Sequence, residues 1–313
     1  MSQMELKFLP IASEAKARDQ QDLMSFPIVS LSKNKRTTSM RFEDSKGNYI
    51  EVNPNAKYGM ATIWDFDIML YFIAYIRHRI DAGDKVTNKF VVSGYDILKF
   101  CGRDTGKSQY DQLQKALQRL KSTEISTNIR KETKEGDEIE QRNKYTQFSW
   151  ITEFTNNTVT RTNSKTGRKK LVTQSYVVTL PQWIIAGVVD SKLVLGINPT
   201  YFSLTGGMQR WLYRIARKFA GLNPQGVRYT LRHMYERSGS QSSYRKFKQN
   251  IKLTIEKGGI PDYYFALYKV DGKDMLFFMK KEKRDRFPDA VQSVENRLQS
   301  FRMIAESCAT KLE

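Results

Sequence analysis

Histidine and cysteine are nearly missing from this chain, with two of each in 313 residues. Cys101 and Cys308 offer no disulfide framework, which fits a reducing cytosol. His78 and His233 stand far apart, so no paired-histidine metal cluster supports a DNA-nicking tyrosine, and zinc-finger spacing is absent. Long apolar runs are missing as well. None approaches the roughly 20 residues a spanning helix requires, and the run around Ile68–Ile76 stops at Arg77. The opening residues Met1–Lys7 carry no signal-peptide pattern. Acid is scarce: 33 Asp and Glu stand against 52 Lys and Arg, a net charge of +19. A surplus of that size suggests a polyanionic partner, with nucleic acid first and an anionic membrane second. The basic residues are spread over helices and loops rather than gathered on one lipid-facing helix, which disfavours the membrane.

What is present organises around Ser108–Lys121. Leu113, Leu117 and Leu120 recur at the spacing of one helical face, while Gln109, Gln112, Lys115 and Arg119 fall on the other. Glutamine and basic groups together suit a helix that reads base edges while neutralising phosphates. Before it, Trp64–Asp81 is dense enough in apolar residues to be buried on most sides, and Lys89–Val92 and Tyr95–Phe100 read as a short strand and a short helix. After it, Thr123–Arg130 and Lys144–Phe154 alternate like the two arms of a hairpin around a polar turn at Lys134–Asp137. A second extended pair, split by Asn163–Lys170, is expected to lengthen the same sheet. Helix, strand, helix, helix, hairpin is the order of a winged helix.

The second half repeats that order. Met208–Ala220 is a helix with Trp211, Leu212 and Ile215 inward and with Arg210, Arg214, Arg217 and Lys218 expected on a solvated face. Val227–Thr230, Leu231–Arg237 and Tyr244–Glu256 follow as strand, helix and helix, and Asp271-Gly272 supplies a two-residue turn for the hairpin Tyr263–Lys280. The fold expected is therefore α+β: a polar tail over 1–24, winged-helix domains over 25–188 and 189–282, and a helical extension over 283–313. In that extension Val291, Val294, Leu298 and Phe301 form a stripe suited to packing on its own domain.

Candidate DNA-binding residues follow from the two basic helices: Arg103, Lys107, Ser108, Gln109, Gln112, Lys115 and Arg119 in the first half, and Ser242, Ser243, Arg245, Lys246, Gln249 and Lys252 in the second. The serines and Gln109 serve equally as helix caps. The knot Lys33, Lys35 and Arg36 and the loop residues Lys165, Arg168, Lys169 and Lys170 suit backbone phosphates or a minor groove.

Signals of catalysis fail on inspection. Gly102–Ser108 looks like a phosphate-binding loop, but only three residues separate its glycines where four are required, and it follows a helix rather than a strand. Asp65 and Asp67 suit the cap and dipole of the long helix better than a metal.

Ser30–Thr38, Tyr58–Asp67, Phe148–Ile151, Leu180–Trp183, Asn198–Gly207 and Arg210–Arg214, taken in that order, resemble the plasmid replication initiator protein A family. The resemblance runs from about Asp22 to Met279. It implies a bacterial, cytoplasmic initiator that binds repeated sequences at a plasmid origin and helps open the duplex, without cofactor, metal or catalytic residues of its own. Its implied partners are double-stranded origin DNA, a host replication initiator or helicase, and a second copy of the chain. A winged-helix transcriptional repressor and a DNA-nicking replication enzyme are the competing readings.

Overall fold

Helix α1 (Phe66–Asp81) is the centre of the first unit because its sequence leaves it almost no polar side. Phe66, Ile68, Met69, Leu70, Phe72, Ile73 and Ile76 are all fully buried. Each such side chain is worth about 1.5–3 kcal/mol of transfer free energy, so polar substitution along this helix is costly at any turn before Arg77. The computed structural model describes residues 15–130, 145–162, 167, 169–283 and 292, with the backbone alone at 159, 161–162, 169–174 and 191. Most of the expected tail (1–14), the polar turn at Lys134–Asp137, Lys165, Arg168 and the stripe Val291–Phe301 lie outside the described residues.

The described chain divides into two compact units. One takes in the chain up to Leu23 together with Ile28–Phe202, and the other takes in Met24–Pro27 together with the chain from Ser203 onward. The segment after Val189 therefore groups with the first unit. Its strand β9 (Val194–Gly196) pairs antiparallel with β1 (Arg18–Gln20).

In the first unit α1 is followed by β4 (Lys89–Val92), α2 (Gly94–Phe100), α3 (Lys107–Ser122), β7 (Glu153–Thr162) and β8 (Lys169–Thr179). These strands form a three-stranded antiparallel sheet in the order β4-β8-β7. Strands β5 (Glu124–Thr127) and β6 (Thr146–Ser149) do not belong to it. They pair with each other and with the hairpin β2 (Met40–Glu43) and β3 (Tyr49–Asn53), giving a separate sheet in the order β2-β3-β5-β6. The expectation that the second extended pair lengthens one sheet is thus corrected. Alternation identifies which face of a strand is buried, and it carries no information on which strand lies alongside. Helix α4 (Gln182–Val189) closes the unit's run of larger elements.

The second unit begins with α5 (Gly207–Phe219), then β10 (Val227–Thr230), α6 (Leu231–Ser238), α7 (Tyr244–Lys257), β11 (Tyr263–Val270) and β12 (Lys273–Lys280). Its sheet runs β10-β12-β11. First, third and second strand in chain order is the order of β4-β8-β7 as well, so the two units share element order and strand order. Asp271 (φ 49°) and Gly272 (φ 75°) both adopt positive φ in the β11–β12 turn, matching the right-handed twist of the strands they join. Rings tie the layers together: Trp211 of α5 meets Phe247 of α7 at 5.9 Å, and Tyr213 meets Tyr263 of β11 at 5.7 Å. The Met24–Pro27 segment is held by Arg237, which donates to the Ser25 carbonyl at 2.6 Å.

The solvated face expected for Arg210 and Arg214 is corrected: both are 3% exposed. Arg210 Nε donates to the Leu204 carbonyl at 2.7 Å. Helix α5 is enclosed on nearly all sides, as α1 is, so the stems of Arg210 and Arg214 are buried with it.

Candidate nucleic-acid interface

The two third helices present the same side-chain classes at the same depth. In α3, Leu113, Ala116, Leu117 and Leu120 are buried, and Lys107, Ser108, Gln112 and Lys115 are exposed with Gln109 half-buried. In α7, Phe247 and Ile251 are buried and Arg245, Lys246, Gln249 and Lys252 are exposed. The N-caps are Gly106 and Ser243. Counted from them, the second position holds Ser108 or Arg245, the third Gln109 or Lys246, the sixth Gln112 or Gln249, and the ninth Lys115 or Lys252. At about 100° per residue these positions sweep one arc of about 120°. Glutamine recurs at the sixth position and lysine at the ninth.

The caps themselves differ. Ser243 accepts from the Lys246 amide, a capping role for one of the serines. Ser242 turns to Ser240 at 2.8 Å, and its carbonyl accepts from the Tyr235 hydroxyl. At α3 no side chain caps the helix, so Ser108 and Gln109 do not serve that purpose. Each helix is tied to its own hairpin. The Asn156 amide of β7 donates to Gln114 Oε1 at 3.0 Å, and Asp274 of β12 accepts from Tyr244 at 3.2 Å and from Lys248 at 2.7 Å.

Three candidate arginines are engaged inside the protein. Arg119 gives a two-pronged contact to Asp65, Nε and Nη2 each 2.7 Å from a carboxylate oxygen. That hydrogen bonding holds its pKa above the usual arginine value. Arg103 reaches the fully buried carboxylate of Asp67 at 3.0 Å and also donates to the Trp64 carbonyl. Arg36 is buried and donates to the carbonyls of Thr38 (2.9 Å) and Ser39 (3.2 Å), and burial lowers its pKa. The two aspartates also depart from the simple cap role. Asp65 makes no side-chain cap bond to α1 and accepts instead from the Thr62 amide at 2.8 Å, one turn upstream. Among the described residues no group of three or more His, Cys, Asp or Glu is placed to hold a metal ion.

Lys33 and Lys35 are exposed, and Lys33 Nζ lies 5.0 Å from the Trp64 ring centre, whose carbonyl Arg103 holds. The basic knot and the α2–α3 turn thus meet at Trp64. Lys169 and Lys170 open β8, across from Thr162 and Arg161 of β7.

Sequence reasoning missed Arg130. Its guanidinium pairs with Asp22, donates to Gln20 Oε1 (2.9 Å) and the Trp183 carbonyl (2.7 Å), and stacks 3.8 Å over the Trp183 ring. It also lies against Gly187, where a Cβ would stand 2.1 Å from Nη1. This clamp joins the N-terminal segment, the end of β5 and α4. Asp22 is 108 residues away in sequence, so no local pattern announces it.

In comparison with solved structures, the fold of these repeated units is similar to that of two domains of RctB. Domains 2 and 3 of RctB superpose with a TM-score of 0.56 at 12% identity, covering 82% of this chain and 97% of that one. A second structure of the RctB domains 2–3 gives 0.52 at 12% identity, covering 84% and 97%. The chain is also 30% identical over 261 residues to a Wigglesworthia glossinidia brevipalpis protein described as a "Putative replication protein", covering 82% of this chain and 86% of that one. The replication initiator protein A family matches residues 18–265, and the chain belongs to that family. Among the described residues no helix is long and apolar enough to cross a membrane.

Proposed function

We propose that this replication initiator works as a tandem winged-helix DNA-binding protein at the origin of a plasmid, binding repeated sequences there. The observation that carries the reading is the matched outward arc of α3 and α7, with glutamine and lysine at the same distance from each N-cap. An α-helix of about 10–12 Å diameter fits a major groove about 12 Å wide. In that position Gln112 and Gln249 pair with adenine edges, Ser108 and Gln109 reach bases from the first turn of α3, and Lys107, Lys115, Arg245, Lys246 and Lys252 supply phosphate contacts. The hairpins β7–β8 and β11–β12 act as wings. Their anchoring by Gln114–Asn156 and by Asp274 fixes each wing to its helix. Lys33 and Lys35 add phosphate contacts beside the α2–α3 turn, whereas Arg36, Arg103 and Arg119 hold the scaffold.

Duplex opening follows from binding and strain on neighbouring DNA, with host replication proteins recruited to the opened site. No catalytic group of the chain is needed for that role. The test is titration of the full chain with duplexes from its own plasmid origin over 50–200 mM salt. Binding through 6–10 phosphates loses about 10³–10⁵ in affinity across that range. An affinity that hardly moves with salt overturns the reading. Maintenance in trans of a plasmid carrying only the origin separates initiation from repression alone.

A further inference from the structure

The outward arc of α7 contains one apolar side chain. Beyond the ninth position, the tenth and thirteenth fall within the same arc: Leu253 and Glu256 in α7, Ala116 and Arg119 in α3. In α3 these two are withdrawn, since Ala116 is 1% exposed and Arg119 is held by Asp65. In α7 both remain open, and Leu253 is 53% exposed. It is one of five large hydrophobic side chains left exposed among the described residues. Its neighbours on the helix surface are Gln249, four residues before it, and the Lys252–Glu256 pair at 3.8 Å. The arc of α7 therefore runs unbroken for a turn more than that of α3, and its added turn is apolar where it lies above the glutamine.

From this juxtaposition we infer that Gln249 and Leu253 form one reading unit for A·T pairs, in which Gln249 takes an adenine edge and Leu253 covers a thymine 5-methyl group. Glutamine pairs two-pronged with adenine N6 and N7, and the thymine methyl is the one apolar feature of the major groove. Residues four apart lie about 6 Å apart along the helix, within two base-pair steps at 3.4 Å each. The two contacts thus fall on base pairs up to two steps apart. The first unit lacks this second contact, so the half-site under α7 is the one that discriminates thymine from a base without a methyl.

The inference rests on the DNA-binding reading above. Its test measures affinity of the full chain for a duplex from the plasmid's own origin in which thymines are replaced one at a time by deoxyuridine, which removes only the methyl. Wild type is expected to lose about fourfold at one thymine, the worth of one buried methyl-sized group. Leu253→Ala is expected to bind thymine and deoxyuridine duplexes equally at that position. Gln249→Ala is expected to keep the methyl effect and lose preference at an adenine within two steps of that thymine. Wild type indifferent to every replacement, or Leu253→Ala keeping the full methyl effect, overturns the inference while leaving DNA binding intact. Failure of wild type to bind the origin duplex at all removes the underlying reading and this inference with it.

Discussion

Removing the Arg119 side chain separates a structural role for this residue from a role at DNA. The Asp65 side chain is 4% exposed and receives two 2.7 Å bonds from Arg119, with the Thr62 amide at 2.8 Å as a further donor. Arg119→Ala leaves that carboxylate in place with its cation gone. Deleting one partner of a buried pair costs about 3–5 kcal/mol, and the 27% exposure of the Arg119 side chain lets water screen part of it, so about 2–3 kcal/mol is expected. For a domain of this size that corresponds to a fall in melting temperature of about 4–12 °C. Arg119→Lys keeps the charge without the fork and is expected to cost about half as much. Adding Asp65→Asn to Arg119→Ala removes the stranded charge and is expected to restore part of the loss, because the amide oxygen still accepts from Thr62. Urea melts followed by circular dichroism read each value. An Arg119→Ala variant within about 0.5 kcal/mol of wild type, the range of ordinary surface changes, refutes the reasoning and returns Arg119 to the DNA-facing set.

Three further outcomes are expected. Lys115→Ala and Lys252→Ala each lower the steepness of the log affinity against log salt plot by about 0.9, with unchanged urea midpoints; an unchanged slope places that lysine off the DNA. Gly187→Ala drives a methyl into the Arg130 guanidinium, and losing that clamp costs about 2–3 kcal/mol. In an Arg130→Ala background the same change is expected to cost little, and full additivity in the double-mutant cycle argues against the clamp. Burial, reinforced by Arg237, lowers the His233 pKa below its ordinary value near 6.5. The unfolded chain then takes up the proton more readily, so this contribution is complete above about pH 6.5 and is lost as pH falls through the lowered value. A His233→Gln variant should lack that acid limb in urea midpoints measured from pH 5 to 8, and identical pH profiles count against it.

Periodic elements are the legible part of this chain. The bounds of β4, β10 and β11 coincide with those read from alternation and turn residues, and the leucines of α3 are buried as their spacing requires. Strand partnership is not legible, because β5 reads the same whether its neighbour is β3 or β8. Nor are the ion pairs, since Arg103 and Asp67 are 36 residues apart and Arg119 and Asp65 are 54 apart. A face count puts every charged residue of a helix outside, and it cannot foresee an aspartate brought up from another element. Ser243 caps α7 as the sequence allows, but the cap of α3 is hidden. Gly106 has no side chain to mark a helix start, so the shared numbering of α3 and α7 becomes visible only with the backbone in hand.

The join between third helix and hairpin differs between the units, and the difference has a practical side. The first unit leaves Ser122, spends β5 and β6 on another sheet, and returns at Glu153, whereas the second passes from Lys257 to Tyr263 through Gly258, Gly259 and Pro261. Since both arrive at one strand order, that join is an insertion port. The first unit already carries a passenger there, and in the short Gly258–Asp262 connection the exposed Gly259 is the place to test a grafted tag, one residue ahead of the buried Ile260.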